Sequence, residues 1–268
     1  MITLTSSDGL SVATIDPVGA ALAELWQGAT QIAGSPDIYS GVTLFPWPNR
    51  ILGGVWNHKG KQLRLSVNDV QHNAALHGLV YQERFDWVQE SSNTCSLSLE
   101  LEPSEGYPFS SRLRVTFVLD QADLKVTQEV VNVGKEVLPF AIGFHPYFLA
   151  SEDCHFESPS FGFELADVHV DKTVGPKCNK ARLRTSTYSL DFSAYNTGYF
   201  HIFTNRYDEP GRIWFAMEPQ TAPADSLNTG TGVTELSPGE STSFIYRLNW
   251  RYFNNADAIG DSKEFSQL

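Results

Sequence analysis

Cysteine is scarce in this chain. Only Cys95, Cys154 and Cys178 occur, an odd number with no CxxC spacing. That pattern excludes a disulfide framework and a cysteine-based zinc site, and it reads as reduced thiols in a cytoplasmic protein. Basic residues are also few, 19 Lys and Arg against 31 Asp and Glu, for a formal net charge of −12. A nucleic-acid binder needs a basic face to neutralise phosphates, so that class of partner is excluded. An acidic surface favours solubility and suits a neutral small ligand. No apolar run approaches the length of a membrane span. The opening MITLTSSDGL has no basic stretch followed by an apolar one, so no secretory leader and no membrane partner are expected. HExxH, GxSxG, P-loop and GxGxxG patterns are missing, and the seven His are scattered. Zincin, serine-hydrolase, nucleotide and dinucleotide chemistries therefore lack their usual sequence support. A pair of glycosidase carboxylates stays compatible with the many Asp and Glu.

Helix signals are nearly absent. The one local candidate is Ala20 to Trp26, rich in Ala, Leu and Glu but too short to be stable alone. What is abundant is turn punctuation, with 20 Gly and 14 Pro spread along the 268 residues. Between these lie runs that alternate apolar and polar: Gln62 to Val67, Ser96 to Leu101 and Arg112 to Val118. Leu124 to Val131 and Ser243 to Leu248 are less strict but rich in β-branched and aromatic residues. Period-two patterning of this kind marks antiparallel strands with one wet face, and it predicts an all-β protein. No linker or charge block divides the sequence. The expectation is one domain over residues 1–254, followed by a polar tail over 255–268.

Four segments interrupt the strand pattern with unusual chemistry. Leu44 to Ile51 reads Leu-Phe-Pro-Trp-Pro-Asn-Arg-Ile, two prolines around a Trp and then Asn49-Arg50. Such a rigid loop could hold a polyol, the Trp47 ring against C–H faces and the Arg50 guanidinium on hydroxyls. It could equally be a turn with a surface ion pair. His77-Gly78 follows, a group that titrates near neutrality beside a residue that lets a ligand approach the backbone. A buried structural histidine is the alternative. Gly143 to Phe148 places His145 among Phe144, Tyr147 and Phe148 and before Pro146, where aromatic walls would exclude water. A core histidine would show the same surroundings. Trp214 to Pro223 ends an apolar run in Glu218-Pro219, as if a strand delivered a carboxylate to a rim. An exposed strand-end Glu is the competing reading.

In order and spacing, these segments resemble the aldose 1-epimerase (galactose mutarotase) family. The resemblance runs through Asn49-Arg50-Ile51, a glycine hairpin at Gly53-Gly54, His77-Gly78 and His145-Pro146-Tyr147-Phe148. It continues through Glu218-Pro219-Gln220-Thr221-Ala222-Pro223 with Asn228 beyond, and through the closing Leu236-Ser237-Pro238-Gly239-Glu240. It implies a large antiparallel β-sandwich with an open groove on one concave sheet, and a strand where local propensity favours a helix at Ala20 to Trp26.

The resemblance also implies an isomerase that interconverts the α and β anomers of a free aldohexose without metal or organic cofactor. In that scheme Glu218 removes the proton of the C1 hydroxyl, and His145 protonates the ring oxygen from the opposite side. His77 stabilises charge near that oxygen, and Asn49 and Arg50 bind hydroxyls. A further substrate-binding Asp is expected between His145 and Glu218; Asp191 is one candidate and Asp171 competes with it. Trp47 and Phe144 are the expected aromatic walls. A hexose 6-phosphate enzyme would need extra cations at the rim, for which Arg64 and Arg84 are candidates. A non-catalytic sugar-binding module on the same scaffold would need no paired acid and base.

Overall fold

Four of the five runs form the strands they predict; Gln62 to Val67 is strand only as far as Arg64, in a hairpin with Val55–His58. In the computed structural model, which describes residues 1–150, 154–159, 161–164, 169–205 and 213–253, the strand Ser111–Asp120 buries every second side chain. Its neighbours Thr94–Leu101 and Asp123–Asn132 pair with it in antiparallel register, Leu97 opposite Val115 and Val115 opposite Gln128. These strands belong to a nine-stranded sheet. Its order runs from the edge Asp86–Ser91 through Thr94–Leu101, Ser111–Asp120, Asp123–Asn132 and Ser241–Tyr252 to Tyr188–Tyr195, Lys180–Arg184, His155–Ser158 and Phe161–Glu164.

A ten-stranded sheet packs against it. Ile2–Thr5, Ser11–Asp16, Ala21–Gln27 and Thr30–Ala33 follow one another as a meander. Tyr147–Ala150 continues the order, then Ile213–Gln220. Tyr199–Asn205 pairs with Ile213–Gln220 and with Asp171–Val174. Where local propensity favours a helix, Ala21–Gln27 is a strand, with Ile15 opposite Leu22 and Val12 opposite Trp26, and Ala20 before it turns with φ 46°. Burial of Leu22 and Leu25 against the core outweighs a short helical preference. The one helix among the described residues is the four-residue Ser226–Thr229. No helix among them is long and apolar enough to cross a membrane.

One apolar cluster fills the space between the sheets and includes residues from Ile2 to Trp250. Aromatic pairs cross the interface: Phe144 stacks on Tyr246 with ring centroids 5.7 Å apart, and Phe148 meets Phe192 edge-on at 6.0 Å. Gln128 is a buried polar group in this layer. Its amide donates to Thr43 Oγ1 and the Gly143 carbonyl and accepts from the Tyr246 hydroxyl, so its burial leaves no group unmade. The three cysteines are buried and form no disulfide with one another. The expected polar tail, 255–268, lies outside the described residues.

The strand Ile213–Gln220 differs from its neighbours. All eight of its residues are buried, because the core covers one face and a second layer of side chains covers the other. It does not stop at a rim before Pro219: the pairing runs on to Tyr199 opposite Gln220. Glu218 is therefore carried deep into the molecule and is 1% exposed.

Candidate active site

Alternation along the central strands decides which side chains leave the core. Phe144 and Phe148 point inward, so His145 and Tyr147 point to the opposite face. Phe215 and Met217 point inward, so Glu218 joins Ala216 on the outer side. Phe200 and Ile202 do the same for His201. Register then aligns these residues. His201 lies directly opposite Glu218 on one side and opposite Thr173 on the other. Three adjacent strands thus present Thr173, His201 and Glu218 as one row.

The second wall comes from the proline-rich loop. Asn49 takes a left-handed backbone, φ 57°, which Asn tolerates better than most residues. Arg50–Leu52 pairs with Ala74–Leu76, which brings His77 beside Asn49. The Asn49 N–H donates to His77 Nδ1 at 3.2 Å, and the His77 N–H donates to the Asn49 carbonyl at 3.0 Å. Gly78 makes this turn feasible. It has φ 82°, and a Cβ there would sit 2.1 Å from the Phe45 carbonyl oxygen. The close approach that Gly78 permits is therefore to the chain's own backbone.

Together these elements enclose a pocket of about 170 Å³ lined by Asp37, Tyr39, Asn49, Arg50, Leu76, His77, His145, Tyr147, Asp171, His201, Phe203 and Glu218. At its base His145 Nε2 lies 3.3 Å from Glu218 Oε1. The two groups touch; they do not face each other across the pocket. The other Glu218 oxygen accepts from the Gln220 amide at 2.9 Å. His145 Nδ1 is buried and finds no hydrogen-bond partner among the described residues. His77 packs edge-on against His145 with centroids 4.9 Å apart, and Tyr39 covers both rings.

Burial holds the His77 imidazole well below its ordinary pKa, and the nearby His145, His201 and Arg50 push the same way. The ring is neutral at physiological pH. Because Nδ1 accepts the Asn49 N–H, the proton must reside on Nε2. His77 is thereby fixed as a neutral donor. His77, His145 and Glu218 come close enough to suggest a cation site, with ligand atoms within 4.8 Å of one another. Ligation by His77 Nε2 would force the proton onto Nδ1, against the Asn49 N–H. The donor set does not fit a metal.

Arg50 Nε donates to Asp69 Oδ2 at 2.7 Å, and its Nη1 lies 3.8 Å from Asp171 Oδ2. Burial raises the Asp69 carboxyl, but hydrogen bonds from Arg50 and His72 outweigh it and hold the group below its ordinary value. The His201 bond to Asp171, 3.2 Å from Nε2 to Oδ1, holds that carboxyl low as well.

Of the residues singled out from the sequence, the fold brings Asn49, Arg50, His77, His145 and Glu218 to one pocket. Three others it places elsewhere. Asp191 lies on the outer face of the nine-stranded sheet, ion-paired to Arg182 directly across the ladder at 2.5 Å; its alternate, Asp171, lines the pocket. Phe144 is excluded by the same alternation that exposes His145. Trp47 is buried in the core with its indole N–H on the Ala75 carbonyl. The aromatic lining comes instead from Tyr39, Tyr147 and Phe203. His201, Tyr39 and Asp37 were missed. Only His201 carried a signal, a lone His between Phe200 and Ile202, the same kind of signal that marked His145.

The family model for aldose 1-epimerases matches residues 1–173. YihR, an uncharacterized protein of Escherichia coli K12, is 33% identical over 172 residues, covering 60% of this chain and 56% of YihR. The chain spans a little over half the length of the curated relatives it matches. Among solved structures, a candidate aldose 1-epimerase of Escherichia coli K12 superposes with a TM-score of 0.82 at 20% identity, covering 94% of this chain and 99% of the other. A galactose 1-epimerase from Lactobacillus acidophilus NCFM gives 0.75 at 16% identity, with 93% of each chain covered. At such identities these two likenesses speak for the fold.

Proposed function

Because the chain belongs to the aldose 1-epimerase family, we propose that it catalyses anomer exchange of a free aldohexose through the Glu218–His145 pair. Ring opening takes one proton from O1 and places one on O5. These oxygens share C1, so an acid and a base placed close together can serve both. The 3.3 Å contact between His145 Nε2 and Glu218 Oε1, at the base of a pocket walled by polar side chains, is the observation that carries the reading.

Glu218 takes the O1 proton, and His145 supplies one to O5 as the C1–O5 bond breaks. Each such transfer contributes roughly 10²–10⁴-fold. His77 donates through Nε2–H to the oxygen on which charge develops, and it keeps that proton throughout because its Nδ1 is already occupied. The open-chain aldehyde rotates about C1–C2, and reversed transfers close the ring as the other anomer. Arg50 and Asp171 hold hydroxyls away from C1.

An uncharged sugar is favoured over a phosphorylated one. Arg64 and Arg84 do not line the pocket, and Arg64 instead donates to Gln62 at the surface. Among the described residues the one arginine lining the pocket is Arg50, which already answers to two carboxylates. Both the isomerase reading and the choice of sugar are tested by polarimetry on freshly dissolved α-glucose, α-galactose and glucose 6-phosphate. Faster relaxation of a free sugar, with no effect of EDTA, is expected. Faster relaxation of the phosphate alone would move the reading to a phosphosugar enzyme.

A further inference from the structure

We propose that His201 is a positioning residue that sets the orientation of Asp171 and Asn49 toward the sugar. This proposal rests on the mutarotase reading, which gives the pocket a sugar to bind.

His201 closes a ring of contacts around the hydroxyl-binding side of the pocket. Its Nε2 meets Asp171 Oδ1 at 3.2 Å. Its Nδ1 meets the Asn49 amide nitrogen at 3.3 Å and the Thr173 hydroxyl at 2.9 Å. The Asn49 amide cannot simply turn over, because its oxygen accepts the Arg50 N–H at 2.8 Å. From Arg50 the circuit returns to Asp171 through the 3.8 Å contact of Nη1 with Oδ2. Asn49 also bonds His77, so the same circuit reaches the neutral donor.

The burial gradient shows which partner needs holding. The His201 side chain is 8% exposed, whereas that of Asp171 is 40% exposed. A half-exposed carboxylate would sample several rotamers in water. Anchored by a buried imidazole, it keeps one oxygen on His201 and aims the other toward Arg50 and the pocket. An imidazole serving packing alone would not spend both ring nitrogens on groups that line a ligand site. Burial lowers the His201 pKa, but Glu218 opposite and Asp171 beside it more than compensate and raise it above the ordinary value, with Arg50 opposing. His77 and Thr173 are further polar groups near the ring.

The role is read by steady-state polarimetry on His201→Leu, His201→Gln, Asp171→Asn and the Asp171→Asn/His201→Leu double variant. Calorimetric binding of the better sugar and ¹⁵N NMR of the His201 ring complete the set. Hydroxyl contacts away from C1 bind ground and transition states alike, so His201→Leu should raise KM about tenfold with kcat within about threefold. His201→Gln keeps one acceptor and one donor and should recover part of the loss. In the double variant the Leu change should add little beyond Asp171→Asn. Asp171→Asn should also lower the midpoint of the His201 titration. An unchanged KM in His201→Leu, independent multiplication in the double variant, or an unmoved titration would overturn the proposal while leaving the mutarotase reading intact. Wild type that neither binds nor relaxes either sugar would remove the mutarotase reading and this role with it.

Discussion

The two sheets of this protein are built from the same kinds of strand yet behave as opposites. On the nine-stranded sheet the wet face carries ion pairs such as Arg112–Glu100, Arg114–Glu90 and Arg182–Asp191. A groove of about 550 Å³ lies there, between Trp87 and Arg114, larger than the pocket on the other sheet. Among the described residues no histidine lines it, and its carboxylates reach solvent. On the ten-stranded sheet the outward row is His145, His201 and Glu218, all nearly buried, with both Glu218 oxygens in contact with a neighbour. The difference teaches that catalytic potential follows burial and mutual contact of titratable groups more than cavity size.

Variants sharpen the contrast. The largest effect should come from His145→Asn, which puts a non-titrating amide in place of the imidazole proposed to move the O5 proton. A fall in kcat of roughly 10²–10⁴-fold with KM little changed is expected, read by polarimetry. A change confined to KM would make His145 a binding group. On the other sheet Phe117→Ala should do the reverse. Phe117 is fully buried, so its loss should cost about 3–5 kcal/mol in a denaturant titration, with kcat/KM per folded molecule retained.

A smaller effect separates the two regions by pH. The folded His77 stays neutral well below its ordinary range, while the unfolded chain takes up that proton from about pH 6.5 downward. Stability from this group is thus complete above that pH and is lost as pH falls toward the folded pKa. The slope is up to about 1.4 kcal/mol per pH unit. His77→Gln should remove that part of the acid slope; a parallel curve for the variant would show that His77 is not held neutral. The smallest effect is expected from Asp191→Asn, which should leave kcat and KM unchanged because Asp191 lies on the outer face of the other sheet. A rise in KM there would contradict the placement of the site.

The regular sheet was largely legible in the sequence. Ser111–Asp120 announces itself by period two, and the register follows from keeping Leu113, Val115 and Phe117 on the core side. Of the pocket lining, Asn49-Arg50, His77, His145 and Glu218 were legible because they sit in motifs. The fold overturns the expectations for Phe144 and Asp191, because adjacency in sequence is not adjacency in space. Along a strand the immediate neighbour of a pocket residue faces away, and the two sheets interleave in chain order, so a residue between His145 and Glu218 need not share their sheet. The depth of Glu218 escaped notice because Pro219 resembled a strand end. His201 could not be paired with Glu218 from the sequence, since that pairing depends on the register across residues 199–220.

The account turns on Glu218 acting as a base in contact with His145. The most direct test is NMR exchange spectroscopy on equilibrated galactose and glucose, comparing wild type with Glu218→Gln, which preserves shape and removes the carboxylate. The account predicts rapid α–β cross-peaks with wild type, exchange reduced by at least about a hundredfold in the variant, and sugar binding retained. Undiminished exchange in Glu218→Gln would contradict it.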